Sequence, residues 1–356
     1  MEFQYTSLKV NVRFKRDGLK DIASLLEELS YKKVFVLCSS RMKEEVKAHL
    51  DRDSSLSYTF FTKAKMHTPI GTTEEALALI QNQNYEAFLA VGGGSVIGLS
   101  KALSWRTDIP QIVAPTTYAG SEMTNILGET IKQVKQTQRG DKIQPAYVLY
   151  DSALLDSLPA KVAGPSAINA LAHSVEALYA ENRNPIITTL AKESIWNIAH
   201  FLESSLEEEA TQKEKDKVLY GAYLAGTCLG SVGMSLHHKV CHAMGGAFNL
   251  PHADIHCFML PYNLAYNGSA IPDILQYLGS ELAADAIDFI FDLSQKVGHY
   301  STLKNFGLAE KDLEKAADII LSKPYYNPRK VERERILKML NLAFKGTRPT
   351  GKLDDK

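Results

Sequence analysis

The sequence predicts two domains, an α/β N-terminal domain with a parallel sheet and an all-α C-terminal domain. Short apolar runs alternate with helical patterns up to about residue 150, which is typical of a sheet whose strands are joined by crossover helices. After Asp151, apolar residues recur at three- and four-residue spacing in long segments, which is typical of packed helices. A chain of 356 residues is also longer than one hydrophobic core usually fills.

In the N-terminal domain the apolar pattern predicts each element in turn. Runs of consecutive apolar residues, bounded by turn residues or proline, predict strands at 33–37, Ala87–Val91, 111–114 and 146–150. Helical spacing predicts helices at 20–29, 41–50 and Val96–Trp105. Thr72 and Glu75 form a capping-box pattern, which predicts a further helix that begins at Thr72 and ends near Gln81.

The C-terminal domain is predicted to consist of helices only. Helical spacing covers 163–180, 186–207, 213–231, 236–247, 281–298 and 309–322. The polar tract at 207–217 is predicted to be a solvated connection between two of these helices. Because proline tends to open or close an element, Leu158-Pro159 is the expected boundary, which gives domains 1–157 and 158–356.

Composition excludes several classes of protein. Lysine and arginine number 40 against 41 acidic residues, so the basic surplus typical of nucleic-acid and membrane-surface binders is missing. The four cysteines match no CxxC pattern and are expected to be buried free thiols. The N-terminus lacks the apolar core of a signal peptide, and no run of about 18 apolar residues occurs. We therefore expect a cytoplasmic protein.

A glycine-rich turn follows the predicted strand Ala87–Val91. Gly92-Gly93-Gly94-Ser95 leads directly into a helix, so backbone amides at the helix N-terminus can approach a diphosphate without a Cβ in the way. A turn of this kind can also be purely structural. A second loop, rich in hydroxyl groups, runs from Pro115 to Glu122 after the next strand. Two such loops at the ends of neighbouring strands predict a dinucleotide site.

The candidate cofactor-binding residues come from these two loops and from the end of the strand at 33–37. They are Ser39, Gly92, Gly93, Gly94, Ser95, Thr116, Thr117 and Ser121. The strand at 33–37 is followed by Cys38-Ser39-Ser40-Arg41 and not by an acidic residue. Because no carboxylate would repel a 2′-phosphate there, both NADH and NADPH remain possible cofactors.

Histidines are concentrated in the segment Ser235–His256, and His173 lies on the preceding helical pattern. On a helix, His238 and His242 share a face because they are four residues apart, and Asn169 and His173 share a face for the same reason. His252 follows Pro251, which is predicted to start a new helix. Spacing alone suggests a metal site built across three helices. Any single histidine of this kind is more often structural, and we expect a structural role for His256 and for His237, which faces elsewhere than His238 on a helix.

The order of these motifs resembles the iron-containing alcohol dehydrogenase superfamily. The motifs are GGGS with a lysine at 92–101, PTT followed by GSE at 115–122, and the series from His238 to His252. The resemblance spans about residues 30–265. It implies a Rossmann-like N-terminal domain followed by a helical domain, the dehydroquinate synthase-like fold, with the active site in the cleft between them.

The sequence departs in three places from the metal-holding members of that superfamily. Those members usually have an Asp-x-x-x-His pair and two later histidines, whereas this sequence has Asn169 in place of the aspartate and keeps His173, His238 and His252. A neutral amide oxygen is a poorer ligand for a dication than a carboxylate is. Gly98 replaces another common aspartate, and the loop PTTYAGSE is shorter than the PTTAGTGSE of those members.

All three departures resemble the maleylacetate reductase branch of the superfamily. Its motifs extend here to Asn327-Pro328-Arg329 and Gly346-Thr347-Arg348-Pro349. The resemblance implies reduction of the carbon–carbon double bond of maleylacetate, a dicarboxylate, to 3-oxoadipate with NADH or NADPH during aromatic-compound degradation. It also implies a homodimer, with no nucleic-acid or membrane partner.

The chemistry implied by this resemblance does not need a metal. Hydride addition at the alkene carbon beta to the ketone places negative charge on an enolate oxygen, which a histidine can stabilise and then protonate at the adjacent carbon. The candidate catalytic residues are His173, His238, His242 and His252. The candidate substrate-binding residues are Tyr118, Asn169 and Lys239, although Lys239 could equally point to solvent.

Two alternative functions remain open at this point. The first is a metal-dependent alcohol or polyol dehydrogenase of the same superfamily that holds iron or zinc through three histidines. The second is a nucleotide-binding protein that has lost its chemistry. The histidine set disfavours the second, because a nucleotide sensor has no use for it.

Overall fold

The computed structural model describes residues 2–132 and 134–351, with the side chains of all of these except Val134 and Lys135. The predicted domain limits at residues 1 and 356 lie outside this range. The chain divides into two compact units, Ser7–Leu158 and the chain from Pro159 onward together with the residues before Ser7. The first is an α/β unit and the second is helical, which confirms the predicted fold class.

The α/β unit is built on a six-stranded parallel sheet. A separate antiparallel hairpin adds two more strands, which gives eight within the described residues. They are β1 Asn11–Phe14, β2 Lys33–Cys38, β3 Ser57–Phe61, β4 Ala87–Gly92, β5 Gln111–Pro115, β6 Ile126–Ile131, β7 Val134–Arg139 and β8 Tyr147–Tyr150. The order in the sheet is β1-β8-β5-β4-β2-β3, with the hairpin formed by β6 and β7. The helices are α1 Ile22–Glu28, α2 Lys43–Leu50, α3 Ile70–Ile80 and α4 Gly94–Thr107.

The central strands are apolar along their length because both faces of the sheet are covered. Val36 and Leu89 belong to the core on one face, whereas Phe35 and Phe88 belong to the core on the other. Continuous apolar runs are what a parallel sheet buried on both sides requires. This is why the sequence predicts β2, β4, β5 and β8 from their composition.

Four strands and one helix start differ from the sequence prediction. No strand is predicted for β1, β3, β6 or β7, because their polar and partly exposed residues give no apolar run. The capping box at Thr72 is wrong, since α3 begins at Ile70 with Pro69 as its N-cap. Glu75 pairs instead with Lys63. Proline's fixed φ starts this helix earlier than the side-chain cap would.

The helical unit contains nine helices within the described residues. They are α5 Ala160–Ala177, α6 Pro185–Ser205, α7 Gln212–Ser231, α8 Leu236–Phe248, α9 His252–Asn267, α10 Pro272–Leu282, α11 Ala286–Val297, α12 Asp312–Leu321 and α13 Arg333–Lys345. Most match the predicted segments to within a few residues. None of them is long and apolar enough to cross a membrane, and the same is true of the other described helices.

Local chemistry explains where this unit differs from the prediction. The predicted helix at 281–298 starts too early. Ala283 adopts a left-handed conformation at the end of α10, which was not predicted, and Asp285 caps α11 by accepting from the amides of Ile287 and Asp288. The polar tract at 207–217 is only partly a connection. Thr211 forms a capping box with Glu214, so α7 begins at Gln212. The last helix, α13, was not predicted.

Helix α5 occupies the interior of this unit. Its residues from Ala163 to Ala177 are all buried, polar ones included. It packs against α6, α7 and α9, and α9 also packs against α8. Polar side chains on α5 can therefore be satisfied only by groups on those neighbouring helices or by a ligand. The histidine cluster lies among these elements.

Candidate active site

The glycine turn lies at the carboxyl end of β4. Gly93 is the N-cap of α4, which begins at Gly94. A Cβ on Gly93 would lie 2.9 Å from Cγ2 of Thr117, so the close approach of the two loops requires glycine there. A Cβ on Gly94, in contrast, would meet nothing within 4 Å. The start of α4 thus offers open backbone at a helix N-terminus, which fits a nucleotide diphosphate.

All eight candidate cofactor residues lie at one edge of the sheet. Strands β2, β4 and β5 are neighbours in the sheet and run parallel, so their carboxyl ends meet. Placed along this edge are Ser39, Gly92, Gly93, Gly94, Ser95, Thr116, Thr117 and Ser121. The hydroxyl of Thr117 is buried and has no partner among the described residues. Their use in nucleotide binding remains a prediction.

A buried lysine holds the second loop in place. Nζ of Lys101 donates to the carbonyl oxygens of Ser121 at 2.5 Å, Thr124 at 2.7 Å and Ile126 at 3.0 Å. It also lies 2.8 Å from the hydroxyl of Thr124. Burial lowers the pKa of Lys101 to about 7. The lysine of the sequence motif therefore fixes the backbone of the candidate cofactor loop from inside α4.

Six histidines meet in the helical unit. His173 comes from α5, His237, His238 and His242 from α8, and His252 and His256 from α9. The ring of His256 is central, since its centroid lies 4.4 Å from that of His252 and 5.0 Å from that of His238. His242 is exposed, His252 is partly buried and His256 is fully buried. The four predicted catalytic histidines therefore belong to one cluster.

A buried carboxylate organises one side of the cluster. Oε2 of Glu176 lies 2.5 Å from Nδ1 of His238, and Nε2 of His238 lies 2.8 Å from Nδ1 of His173. Glu176 also accepts from the backbone amides of Ser235 at 3.1 Å and His237 at 2.8 Å. The carboxylate thus caps the N-terminus of α8 and binds His238 at the same time.

A second hydrogen-bonded series passes through the buried side of the cluster. Nε2 of His237 lies 3.0 Å from Nδ1 of His256, and Nδ1 of His237 lies 3.2 Å from the amide nitrogen of Asn263. Burial lowers the pKa of both His237 and His256 well below the usual range, with neighbouring histidines adding to the effect. Both rings are therefore neutral at ordinary pH.

The predicted substrate-binding residues have different surroundings. Asn169 is buried on α5, and its side-chain oxygen has no partner among the described residues. Lys239 is partly buried, with Nζ 5.7 Å from the centre of the Tyr325 ring. Burial and the charge of Lys323 lower the pKa of Lys239. Tyr118 is buried in the α/β unit.

The positions that hold a metal elsewhere in the superfamily do not fit a divalent ion in this arrangement. Asn169 supplies only a neutral amide. The 2.8 Å separation of His238 Nε2 and His173 Nδ1 is a hydrogen bond, and it is shorter than the roughly 3.4 Å that separates two tetrahedral ligand nitrogens about 2.1 Å from zinc. The nitrogens of His242, His252 and His256 do lie within 4.8 Å of one another and form a different possible set.

Four residues of the cluster were missed from the sequence, namely Glu176, His237, His256 and Asn263. Glu176 follows His173 by one helical turn, so it lies on the same face of α5 as a predicted site residue, and that spacing could have indicated it. His256 follows His252 by four residues on α9, but the sequence favoured a structural role. Asn263 gave no signal, because its role depends on a contact between α8 and α9.

Comparison with known proteins identifies the class. Residues 10–152 match the family described as iron-containing alcohol dehydrogenase, and residues 164–344 match the C-terminal domain of the Fe-containing alcohol dehydrogenase family. The chain belongs to this family.

Within the family, maleylacetate reductases resemble the chain over nearly its whole length. Maleylacetate reductase 1 of Rhodococcus opacus is 39% identical over 349 residues, which is 98% of each chain. The maleylacetate reductase of Rhizobium sp. strain MTP-10005 is 40% identical over 347 residues, covering 98% of this chain and 99% of the other. The crystal structure of the Agrobacterium tumefaciens maleylacetate reductase superposes with a TM-score of 0.93 at 38% identity, covering 98% of this chain and 100% of the other. The predicted resemblance is confirmed, and the protein is an oxidoreductase.

Proposed function

We propose that the protein uses NADH or NADPH to reduce the carbon–carbon double bond of maleylacetate, and that it does so without a metal ion. The similarity to maleylacetate reductases supports the substrate. The observation that carries the chemistry is the series from Glu176 through His238 to His173, with separations of 2.5 Å and 2.8 Å. A carboxylate that orients a histidine is a frequent arrangement for proton transfer.

The series defines where each proton is held. An ionised carboxylate only accepts, so Nδ1 of His238 donates to Glu176. In the neutral pair, Nε2 of His238 accepts from Nδ1–H of His173. When the pair carries one more proton, Nε2–H of His238 donates to Nδ1 of His173, and the extra proton is held at Nε2 of His173. The pair can thus gain or release a proton without moving a heavy atom.

This proton completes the reduction. When bound, a reduced nicotinamide would supply a hydride to the alkene carbon beta to the ketone, and negative charge would then develop on the ketone oxygen as an enolate. A proton from Nε2 of His173 is transferred to the carbon between the ketone and the reduced carbon, which gives 3-oxoadipate. We assign proton donation to His173, and substrate positioning and charge stabilisation to His242 and His252 at the exposed side of the cluster.

Cofactor binding is assigned to the sheet edge of the α/β unit. Gly94 and Ser95 at the start of α4 would hold the diphosphate through backbone amides, and Thr117 has a buried hydroxyl available for a ligand. Ser39 follows β2 in place of an acidic residue, which leaves the 2′-phosphate of NADPH acceptable.

The decisive assay uses cofactor deuterated at the transferring position. With maleylacetate, we expect the cofactor to be oxidised and 3-oxoadipate to form with one deuterium at the carbon beta to the ketone. An alcohol product with deuterium on the carbinol carbon would instead support an alcohol dehydrogenase. Saturable cofactor binding with no oxidation would support the non-catalytic alternative.

The metal-dependent alternative has one specific observation in its favour. Nitrogens of His242, His252 and His256 converge to within 4.8 Å, which three ligands of one zinc ion could do. Metal analysis of the purified protein separates the two functions. A stoichiometric metal that is required for turnover would contradict the metal-free proposal.

We also propose a cytoplasmic homodimer. Cys38, Cys228, Cys241 and Cys257 are buried free thiols, as predicted, which suits a reducing compartment. The proposal of a dimer rests on the family resemblance alone. Light scattering after size exclusion should give twice the chain mass of 39.4 kDa, and a mass equal to one chain would contradict it.

A further inference from the structure

The ring proton of His237 has a fixed position, and the proposed mechanism does not use this residue. The amide of Asn263 determines it. The nitrogen of this amide donates to the carbonyl oxygen of Met259 at 2.8 Å, which fixes the orientation of the amide. The same nitrogen lies 3.2 Å from Nδ1 of His237, so it donates there as well. Nδ1 of His237 is therefore an acceptor and carries no proton.

The proton positions of the next two rings follow from this. Both rings are fully buried, and a neutral imidazole carries one proton. With Nδ1 of His237 as an acceptor, the proton of His237 is on Nε2, which donates to Nδ1 of His256 at 3.0 Å. His256 then carries its proton on Nε2. In the series from Asn263 through His237 to His256, each residue therefore donates its hydrogen bond to the next one.

The series ends on an unsatisfied donor. Nε2 of His256 is buried and has no hydrogen-bond partner among the described residues. Buried donors are almost always satisfied, so one left open next to a candidate active site calls for a ligand. Nitrogens of the exposed His242 and the partly buried His252 lie within 4.8 Å of a nitrogen of His256. A ligand that reaches those two residues from solvent would have His256 at its inner end.

We propose that His256 is a catalytic residue whose Nε2–H donates to the enolate oxygen of the substrate, and that His237 and Asn263 are positioning residues that hold this tautomer. The inference rests on the proposed function, because it takes the ligand to be an oxo-dicarboxylate. A neutral N–H donor suits charge that develops during the reaction, since it stabilises the oxygen without giving up its proton. Proton delivery stays with the separate series from Glu176 to His173.

The tautomer of His256 also separates this role from metal binding. A metal would need the lone pair of His256 Nε2, which requires the proton on Nδ1 of His256 and a reversal of the series. Asn263 opposes the reversal, because Nδ1–H of His237 would then face the amide nitrogen. Asn263→Asp replaces that donor by an acceptor and should reverse the series.

The first experiment measures the tautomer without substrate, so its outcome does not depend on the proposed function. The protein is labelled with ¹⁵N-histidine and long-range ¹H–¹⁵N correlations are recorded, with His256→Gln used to assign the signal. We expect His256 protonated at Nε2 in the wild type and at Nδ1 in Asn263→Asp. A wild-type His256 protonated at Nδ1 would overturn the proposal, as would zinc binding to the wild type through His256.

The second experiment measures the role in turnover. His256→Leu should lower kcat by roughly 10²–10³-fold with KM changed less than about threefold, because one donor to the developing oxyanion is lost. His256→Gln, whose amide can donate, should recover part of that loss. The matched control is His200→Leu, since His200 is exposed on α6, where its ring stacks on Trp196 and bonds to the carbonyl oxygen of that residue. A folded His256→Leu enzyme with unchanged kcat would overturn the proposal. Absence of turnover in the wild type would count against the proposed function alone.

Discussion

Oε2 of Glu176 lies 2.5 Å from Nδ1 of His238, and the carboxylate is fully buried. A buried carboxylate in this position fixes both the orientation and the tautomer of the histidine beside it. It also joins α5 to the N-terminus of α8 through the amides of Ser235 and His237. One side chain therefore has a structural and a chemical role.

Glu176→Gln should lower kcat by roughly 10²–10⁴-fold, because a carboxamide cannot compensate a protonated His238. It should also lower stability, since both carboxylate oxygens accept from backbone amides and the carboxamide nitrogen cannot. Steady-state kinetics with maleylacetate checks the rate, and fluorescence titration with NADH should show unchanged cofactor affinity. Glu181→Gln is the matched control, since Glu181 is exposed just beyond α5. A Glu176→Gln variant that keeps full activity would contradict proton transfer through the series from Glu176 to His173.

Stability should fall in acid because of the two fully buried histidines. Burial holds the pKa of His237 and His256 well below 6.5, so below about pH 6.5 the unfolded chain binds protons that the folded chain does not. Each group then costs up to about 1.4 kcal/mol of unfolding free energy per pH unit. Denaturant unfolding at pH 8, 6 and 5 measures this dependence.

The control for acid sensitivity is His256→Gln, which removes one of the two groups. The variant should lose less stability than the wild type between pH 6.5 and 5. Equal losses in the two proteins would mean that these histidines do not account for the acid sensitivity.

Gly94→Ala should weaken NADH binding at least about tenfold while leaving the folded state intact. Nothing lies within 4 Å of the added Cβ, and alanine is favoured over glycine in a helix. The Cβ would instead occupy the space assigned to the diphosphate. Calorimetric titration and a thermal midpoint give the two readouts.

The comparison for that variant is Gly98→Ala, where the added Cβ would lie 2.4 Å from Oγ1 of Thr68. Crowding of this size costs about 1–3 kcal/mol, so this variant should lose stability. If Gly94→Ala binds NADH as tightly as the wild type, the diphosphate does not lie at the start of α4.

The sequence predicts the fold and the glycine turn after β4 well because their signals are local. The run Ala87–Val91, followed by three glycines and a helical pattern, specifies strand, turn and helix without any distant contact. The hairpin of β6 and β7 gives no such signal, since its strands are stabilised by each other and not by an apolar run. Helix α13 likewise lacks a strong local start, because Glu332 at its N-cap makes no side-chain cap bond.

The histidine cluster is predictable only in part. The i, i+4 spacing brings His238 to His242 and His252 to His256 from sequence alone. It does not show which helices meet, so the partners of His173 and His237 could not be deduced. The role of Asn263 depends on the carbonyl of Met259, and such a contact has no counterpart in composition or periodicity.

Asn169→Asp should raise affinity for Fe²⁺ or Zn²⁺ at least about tenfold, because it restores an anionic oxygen beside His173 on α5. Without metal, the new charge would be buried, so the variant should be less stable than the wild type and should recover stability when metal is added. Titration calorimetry and thermal melts with and without Zn²⁺ check both effects. Metal affinity equal to that of the wild type would show that Asn169 does not explain a metal-free site.

The most direct test of metal-free reduction is the activity with maleylacetate of protein treated with a chelator and shown to hold less than about 0.1 metal ion per chain. We predict that this protein oxidises NADH or NADPH with maleylacetate at the same kcat as untreated protein, giving 3-oxoadipate. Loss of activity on chelation, with recovery when Fe²⁺ or Zn²⁺ is added back, would contradict metal-free reduction.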